Sequence, residues 1–399
     1  MVLDTIKFWY RNTQAKSQDW LTNPEGNGSG KPTQNLPVDI TRQLQRKTEE
    51  LPTAIAHQKA LKDAFSKAFE NWRSDPEAPN SLVVLGSPTD RLPLLFCETI
   101  ATKIERQWTH ERSLDWERRP SDYASLSVQL KQAIGETQIG FSDEGSTDIL
   151  EKRQSLVIVP QLEWCFVRCI EGLEAIELLR EMIFTDSSRF WLIGCNRWSW
   201  QYFDYVSKLS AYLGDRLSLP GLNAEELKAW LDPILNPLNF EFSEEFDEEK
   251  IDKFWQQYFS YLAHLSSGIP SVAADLWWRS LVCPQPSEDE EEKSEAIAES
   301  SLKTIKIIPK IPKLPDLPSL LPEDRYLLYS LLLHGGMSLS HLALSLGESE
   351  TTVQARVHFL WLADAIERQK DFLWVNPAYY PKLRDILESN NFLVGKDKV

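Results

Sequence analysis

The sequence predicts an α/β fold built on a parallel sheet, and three observations carry that prediction. Short β-branched apolar runs at 81–86, 155–160 and 189–194 are each followed by a helical pattern, at 92–104, through Arg180, and at 198–213. Runs apolar on both faces suit strands buried between helices, so the repeated grammar reads as βα units. With 399 residues and 42% hydrophobic content, the chain can bury one large core or two to three smaller ones.

Taken in order, residues 1–50 read as an N-terminal arm and flexible linker. They carry an aromatic patch, Phe8, Trp9 and Tyr10, and a stretch at 22–37 rich in Gly, Asn, Pro and Ser that cannot pack. The α/β core spans 51–217 and opens on an amphipathic helix, where Leu61, Phe65, Ala68, Phe69 and Trp72 recur at helical spacing. Between 105 and 153 the pattern separates no elements. Residues 218–283 turn wholly helical, with Asn223 placed to cap 224–231 and two further helices at 251–265 and 272–281. Residues 284–321 form a linker: an acidic run at 287–292 that solvates rather than folds, then Pro309, Pro312, Pro315 and Pro318 every third residue, which favours an extended spacer. Residues 322–392 read helix, helix, helix, hairpin, the order of a winged helix, with Gly347 at the turn between the second and third helices.

Composition narrows the function classes. Lys plus Arg number 43 against 59 Asp plus Glu, a formal charge of −16, so the chain as a whole repels nucleic acid and anionic lipid. Five cysteines without a CxxC pair argue against a disulfide framework and a thiolate zinc site. Cys165, Cys169 and Cys195 read as small apolar residues rather than a metal cluster. No apolar stretch approaches the roughly 20 residues of a membrane span, and Asp4, Lys7 and Arg11 interrupt any signal-peptide core. The expectation is a cytoplasmic protein with no membrane partner. No HExxH or GxSxG motif is present, and His334 and His341 read as structural.

Four positions carry a faded constellation. A phosphate-binding loop needs GxxxxGK[ST], because backbone amides cradle phosphate, lysine neutralises it and the hydroxyl holds magnesium. Gly86 stands at the first glycine, and Arg91, Leu92 and Pro93 occupy the places of the second glycine, the lysine and the hydroxyl. The second run ends in Pro160 and Gln161, where two acids would hold magnesium and water, with Leu162 and Trp164 after them. Glu163 lies further on and faces elsewhere if the strand continues. The third run reaches Asn196, and the helical segment holds Ser267-Gly268-Ile269-Pro270-Ser271.

This order of strand with glycine loop, second strand, third strand ending in a polar residue, helical lid and winged helix resembles the P-loop NTPases of the AAA+ and STAND type. It is most similar to the origin-recognition-like ATPases, over about residues 50–392. The resemblance implies a P-loop NTPase-like core, a sensor-1 role for Asn196 and Ser271 in place of a sensor-2 arginine. It also implies a vestigial nucleotide site at Gly86, Ser87, Thr89, Arg91 and Asn196. The missing lysine, hydroxyl and acids lead to the expectation that the chain is not an enzyme, hydrolyses no ATP and holds no cofactor. The sequence is also similar to a group of cyanobacterial proteins labelled MarR-like.

The favoured reading is a regulatory or adaptor protein on an inactive scaffold, binding a protein partner through core and winged helix, with Trp191, Trp198, Trp200, Tyr202, Trp277 and Trp278 available to the contact. The alternative is a DNA-binding regulator. A recognition helix reads bases with basic and amide side chains at its N-terminal end, and Thr352, Gln354 and Arg356 are the candidates, beside acidic Glu348 and Glu350. A third reading is a nucleotide switch in which Arg91 or Lys103 replaces the lost lysine. Lys103, Arg106, His110, Arg112, Arg118 and Arg119 interleave with Trp108 and Trp116 as a single-strand platform would, but Glu105, Glu111, Asp115 and Glu117 among them favour a solvated helical face. Lys303, Lys306, Lys310 and Lys313 are placed to pair weakly with the acidic run.

Overall fold

Alternation along three strands divides their side chains between the two faces of one sheet, and the elements around it follow from that division. The computed structural model describes residues 33–103, 108, 110–114, 116, 119–135, 153, 155–242, 247–285 and 305–395. The aromatic patch at 8–10, the acidic run at 287–292, Lys303 and the side chains of Lys103, Arg106 and Arg118 lie outside the described residues. The first elements are β1 (Thr33–Asn35), α1 (Val38–Glu49), α2 (Ile55–Ser74), β2 (Ser81–Gly86), α3 (Leu92–Lys103), β3 (His110–Ser113) and α4 (Leu126–Ile134). Next come β4 (Ser155–Val159), α5 (Glu174–Thr185), β5 (Arg189–Asn196), α6 (Arg197–Ser207), β6 (Asp215–Ser218), α7 (Ala224–Leu235), β7 (Asn239–Phe240), α8 (Glu248–Ser266), α9 (Pro270–Arg279) and β8 (Leu281–Pro284). The last are β9 (Lys306–Pro309), α10 (Pro322–His334), β10 (Met337–Ser338), α11 (Leu339–Leu346), α12 (Glu350–Leu362), β11 (Ile366–Gln369), β12 (Phe372–Val375) and α13 (Tyr380–Ser389).

The chain divides into two units. One takes Met1–Leu51, Leu231–Leu262 and Leu276–Lys313, and the other takes Pro52–Trp230, Ala263–Asp275 and Leu314–Val399. In the larger unit five parallel strands lie in the order β3-β4-β5-β2-β6. Leu82, Val84, Leu156, Ile158, Phe190 and Leu192 share one face and bury against Leu61, Phe65, Phe69 and Trp72 of α2 and Leu92, Leu95 and Phe96 of α3. Phe65 and Phe69 meet the Phe190 ring edge-on, at 5.8 and 5.3 Å between centroids. The three expected strands are the sheet's central ones. The sheet gains β3 and β6 at its edges, whose polar sequences, His-Glu-Arg-Ser and Asp-Arg-Leu-Ser, are largely exposed and carry no apolar run to announce them.

The buried arginine Arg153 closes the C-terminal end of α2. Its guanidinium donates to the carbonyls of Trp72, in the last turn of the helix, and of Asp75 (2.7 Å) and Pro76 (2.9 Å) just beyond it. At the other end of the sheet Gly194 permits a close approach: a Cβ there would lie 2.2 Å from the Pro160 carbonyl oxygen.

Two expectations for the linkers are corrected. Residues 38–49 fold as α1, because Ile40, Leu44 and Thr48 fall four apart and bury one stripe. The proline-rich spacer begins later than expected, because Ile307 and Ile308 are buried in β9, paired antiparallel with β8; residues 310–321 carry no helix or strand. In the smaller unit β1, β8, β9 and β7 form one sheet in that order, and Tyr258 bonds Ser280 at 2.6 Å.

Within the larger unit, α10, α11 and α12 precede a three-stranded antiparallel sheet in the order β10-β12-β11. Gly347, at φ +69°, ends α11 in the left-handed conformation, and the Glu348 amide donates back to the Ala343 carbonyl at 3.1 Å. No helix among the described residues is long and apolar enough to cross a membrane.

Replacing Gly194 with Ala forces the β4 end away from β5. The expected result is a loss of about 1–3 kcal/mol in thermal or denaturant unfolding of the full chain, whereas Gly347→Ala, with no atom within 4 Å of the added methyl, pays only for its positive φ.

Candidate functional site

The carboxyl ends of parallel strands form the crevice where open α/β sheets take ligands. Pairing of β2 with β5 puts Gly86 beside Asn196, so the two predicted positions meet at that edge. Beyond Gly86 the chain makes a tight turn, with the Asp90 amide donating to the Ser87 carbonyl at 3.0 Å. In return the Ser87 amide donates to Asp90 Oδ2 at 2.6 Å. Gly86 eases this approach, since a Cβ there would lie 3.1 Å from the same carboxylate oxygen and press it back by a few tenths of an ångström. Asp90 is partly shielded from water, which raises its carboxyl above the usual range against the attraction of His57, the Ser87 amide, Arg197 and Arg91. A phosphate entering this loop would therefore meet an internal carboxylate. The sequence reading passed over Asp90; its signal was an acid four residues after the glycine.

Thr89 and Ser271 are brought together: Ser271 Oγ donates to Thr89 Oγ1 at 2.9 Å. The Ser267-to-Ser271 turn, with Ser267 at φ 53° and Gly268 at φ +70°, thus reaches the loop after β2. Arg91 is exposed at the start of α3, and Pro93 occupies its first turn.

Asn196 is committed to structure. Its side chain accepts from the Ser199 amide at 2.9 Å as the cap of α6, and donates to the Leu333 carbonyl at 3.1 Å. Its own amide donates to Glu163 Oε2 at 3.2 Å. Glu163 reaches this position because β4 stops at Val159 and the chain turns through a short 3-10 segment, Leu162–Cys165. The strand does not continue past Val159, so the condition under which Glu163 would face elsewhere is not met.

Burial pushes the Glu163 carboxyl up to about 7, opposed by its own and the Asn196 amides and by Arg119. The Arg119 guanidinium, 1% exposed, donates to the carbonyls of Phe166 (2.7 Å), Glu163 (2.5 Å) and His334 (2.7 Å). Burial lowers it to about 10, so it stays charged at neutral pH. His334 stacks on Phe166 at 4.5 Å, and its Nε2 accepts from the Arg168 amide at 2.9 Å. The proton then sits on Nδ1, which donates to the Ser330 carbonyl at 2.8 Å. Burial and the cationic Arg119 and Arg168 hold this ring well below the ordinary histidine range. Ser199 Oγ donates to the Leu333 carbonyl, and Tyr380 accepts from Trp198 Nε1 at 3.2 Å. Residues of α10 and α13 thus pack on the carboxyl end of β5 and the start of α6, and α10 meets the turn after β4 through Arg119.

Two further expectations change. The basic stretch is divided: His110, Glu111 and Arg112 are exposed, on the strand β3 rather than on a helix, whereas Arg119 and Trp108 are buried, Trp108 within the aromatic core. Trp191, Trp198, Trp200 and Trp277 are buried as well, which removes them from any contact surface and leaves Tyr202 and Trp278 partly accessible. Among the described residues, no group of three or more His, Cys, Asp or Glu side chains converges as metal ligands would.

On α12, Thr352 and Gln354 are exposed, and Ser349 caps the helix through the Thr352 amide at 3.2 Å. Arg356, 24% exposed, turns back to Glu323 (3.5 Å), Asp324 (3.6 Å) and Glu348 (3.9 Å).

No known protein family matches the chain, and no curated protein does. Solved structures similar to it include the ORC1 protein of Aeropyrum pernix in complex with DNA, at 12% identity over 84% of this chain and 94% of that one, TM-score 0.35. The ADP form of the ORC2 protein of Aeropyrum pernix matches at 12% identity over 86% and 97%, TM-score 0.36. A Walker-type ATPase of Pyrococcus abyssi matches at 11% identity over 80% and 95%, TM-score 0.32. Because the similar structures include one described as an ATPase, the expectation that the chain is not an enzyme is withdrawn.

A carboxyl raised in the folded state favours folding most below its unfolded value, so the Glu163 contribution is lost as pH rises from about 4.5 through about 7. Glu163→Gln is expected to raise stability at pH 8 by about 2–3 kcal/mol over the native chain and to leave it unchanged at pH 4, read by thermal unfolding. The depressed His334 acts in the opposite sense, costing stability in both proteins as pH falls below 6.5.

Proposed function

We infer that the chain is a regulatory or adaptor protein that holds a protein partner through a C-terminal winged helix. The order of α10, α11 and α12 with the β11–β12 hairpin supports that reading of the segment. The observation that carries the choice of partner lies on α12. A DNA-reading helix needs cations directed outward to phosphate and base edges, and the single arginine of this helix is drawn to three carboxylates of its own segment. The outward side of its C-terminal half instead presents Phe359 (48% exposed), Trp361 and Leu362, aromatic and aliphatic groups of the kind that anchor protein interfaces.

The second reading, DNA binding, is favoured by the exposed Thr352 and Gln354 and by Arg368 and Lys370 at the hairpin. Anisotropy of labelled duplex DNA with the full chain separates the two. The expected result is no salt-dependent binding and no change in Arg356→Ala, with a captured protein partner that survives nuclease treatment and is lost from the double variant Trp361→Ser, Leu362→Ser. Binding that falls steeply with salt and weakens in Gln354→Ala or Arg356→Ala would overturn the protein reading.

A further inference from the structure

We propose that the outer face of α5, together with Tyr212, is a docking groove for a basic, amphipathic helical segment of a partner protein. This surface lies on the α/β core and is separate from α12. A groove of about 470 Å³ runs beside α5 and is lined by Glu174, Glu177, Glu181, Phe184, Arg180 and Tyr212. The three acids fall at positions i, i+3 and i+7 of one helix and are exposed, so they form a single stripe. Phe184 follows at the end of the stripe with 74% of its surface exposed. From Glu174 to Phe184 the stripe extends about 15 Å, close to three helical turns.

Two features favour a cationic occupant. Like charges three and four apart on a helix repel, and a partner's lysines or arginines at the same spacing relieve that repulsion. The aromatic pair supplies the apolar part: Phe184 and Tyr212 meet edge to face at 6.3 Å between centroids. Arg180 is already stacked over Tyr212 at 4.9 Å, which holds that ring in place and shows that the site accepts a cation against an aromatic face. An exposed aromatic pair beside a row of carboxylates matches a segment with Leu on one side and Lys or Arg along its edge. It mismatches nucleic acid, whose phosphates the carboxylates repel.

The test uses the full chain and a fluorescein-labelled amphipathic helical peptide of Lys and Leu, with a Glu-for-Lys peptide as control. The expected result is saturable binding of the Lys peptide that weakens with salt and falls about tenfold in Phe184→Ala and in Glu177→Gln, Glu181→Gln. Trp361→Ser on α12 should leave it unchanged, which keeps this result independent of the fate of the α12 reading. All three groups are exposed, so the variants should retain the native thermal midpoint. Equal binding by folded variants and native chain, equal binding of the Glu peptide, or no binding would each overturn the proposal. So would a concentration-dependent dimer lost in Phe184→Ala, which would assign the groove to a second copy of the chain.

Discussion

The junction between the sheet and the C-terminal segment depends on one buried charge. Removing a guanidinium from water costs several kcal/mol, and Arg119 recovers that cost through three carbonyls drawn from three places in the sequence. Glu163 and Phe166 belong to the turn after β4, and His334 ends α10. A carbonyl at a helix end has no partner within the helix, so the His334 carbonyl gains from a donor supplied by another part of the chain. Burial holds the His334 ring below its ordinary range, the same arginine adds to that depression, and it moderates the rise in Glu163, which ties the protonation state of the junction to its packing.

Around that charge the carboxyl edge of the sheet is occupied by the chain itself. Asp90 accepts from the Ser87 amide, Ser271 reaches Thr89, and Asn196 spends its side chain on a helix cap and on Leu333. Each contact satisfies a polar group that would otherwise face the crevice.

The central strands were legible in the sequence because both of their faces are buried, which makes them apolar throughout, and α2 was legible because Leu61, Phe65, Phe69 and Trp72 repeat with its turn. The edges were not: β3 and β6 are short and polar, so nothing in their residues distinguishes them from loop. The pairing of β2 with β5 puts Gly86 beside Asn196, and a hydroxyl contact joins Thr89 to Ser271, which are proximities of position and not of shown function. Asp90 was passed over and Arg119 was read as part of a solvated basic stretch, both for one reason. A charged side chain reads as surface until the structure shows which donors or acceptors enclose it, and Arg119 finds its acceptors 44 to 215 residues away. The tryptophans failed in the opposite direction, since an aromatic suits a core as well as an interface.

The account stands most directly on Arg119 as the clamp between the β4 turn and α10. Hydrogen exchange of the full chain, native against Arg119→Met, tests it. The account predicts that protection falls together at residues 162–167 and 327–341 while β2 and β5 keep theirs. Loss confined to the neighbours of residue 119, or an unchanged pattern, would contradict it.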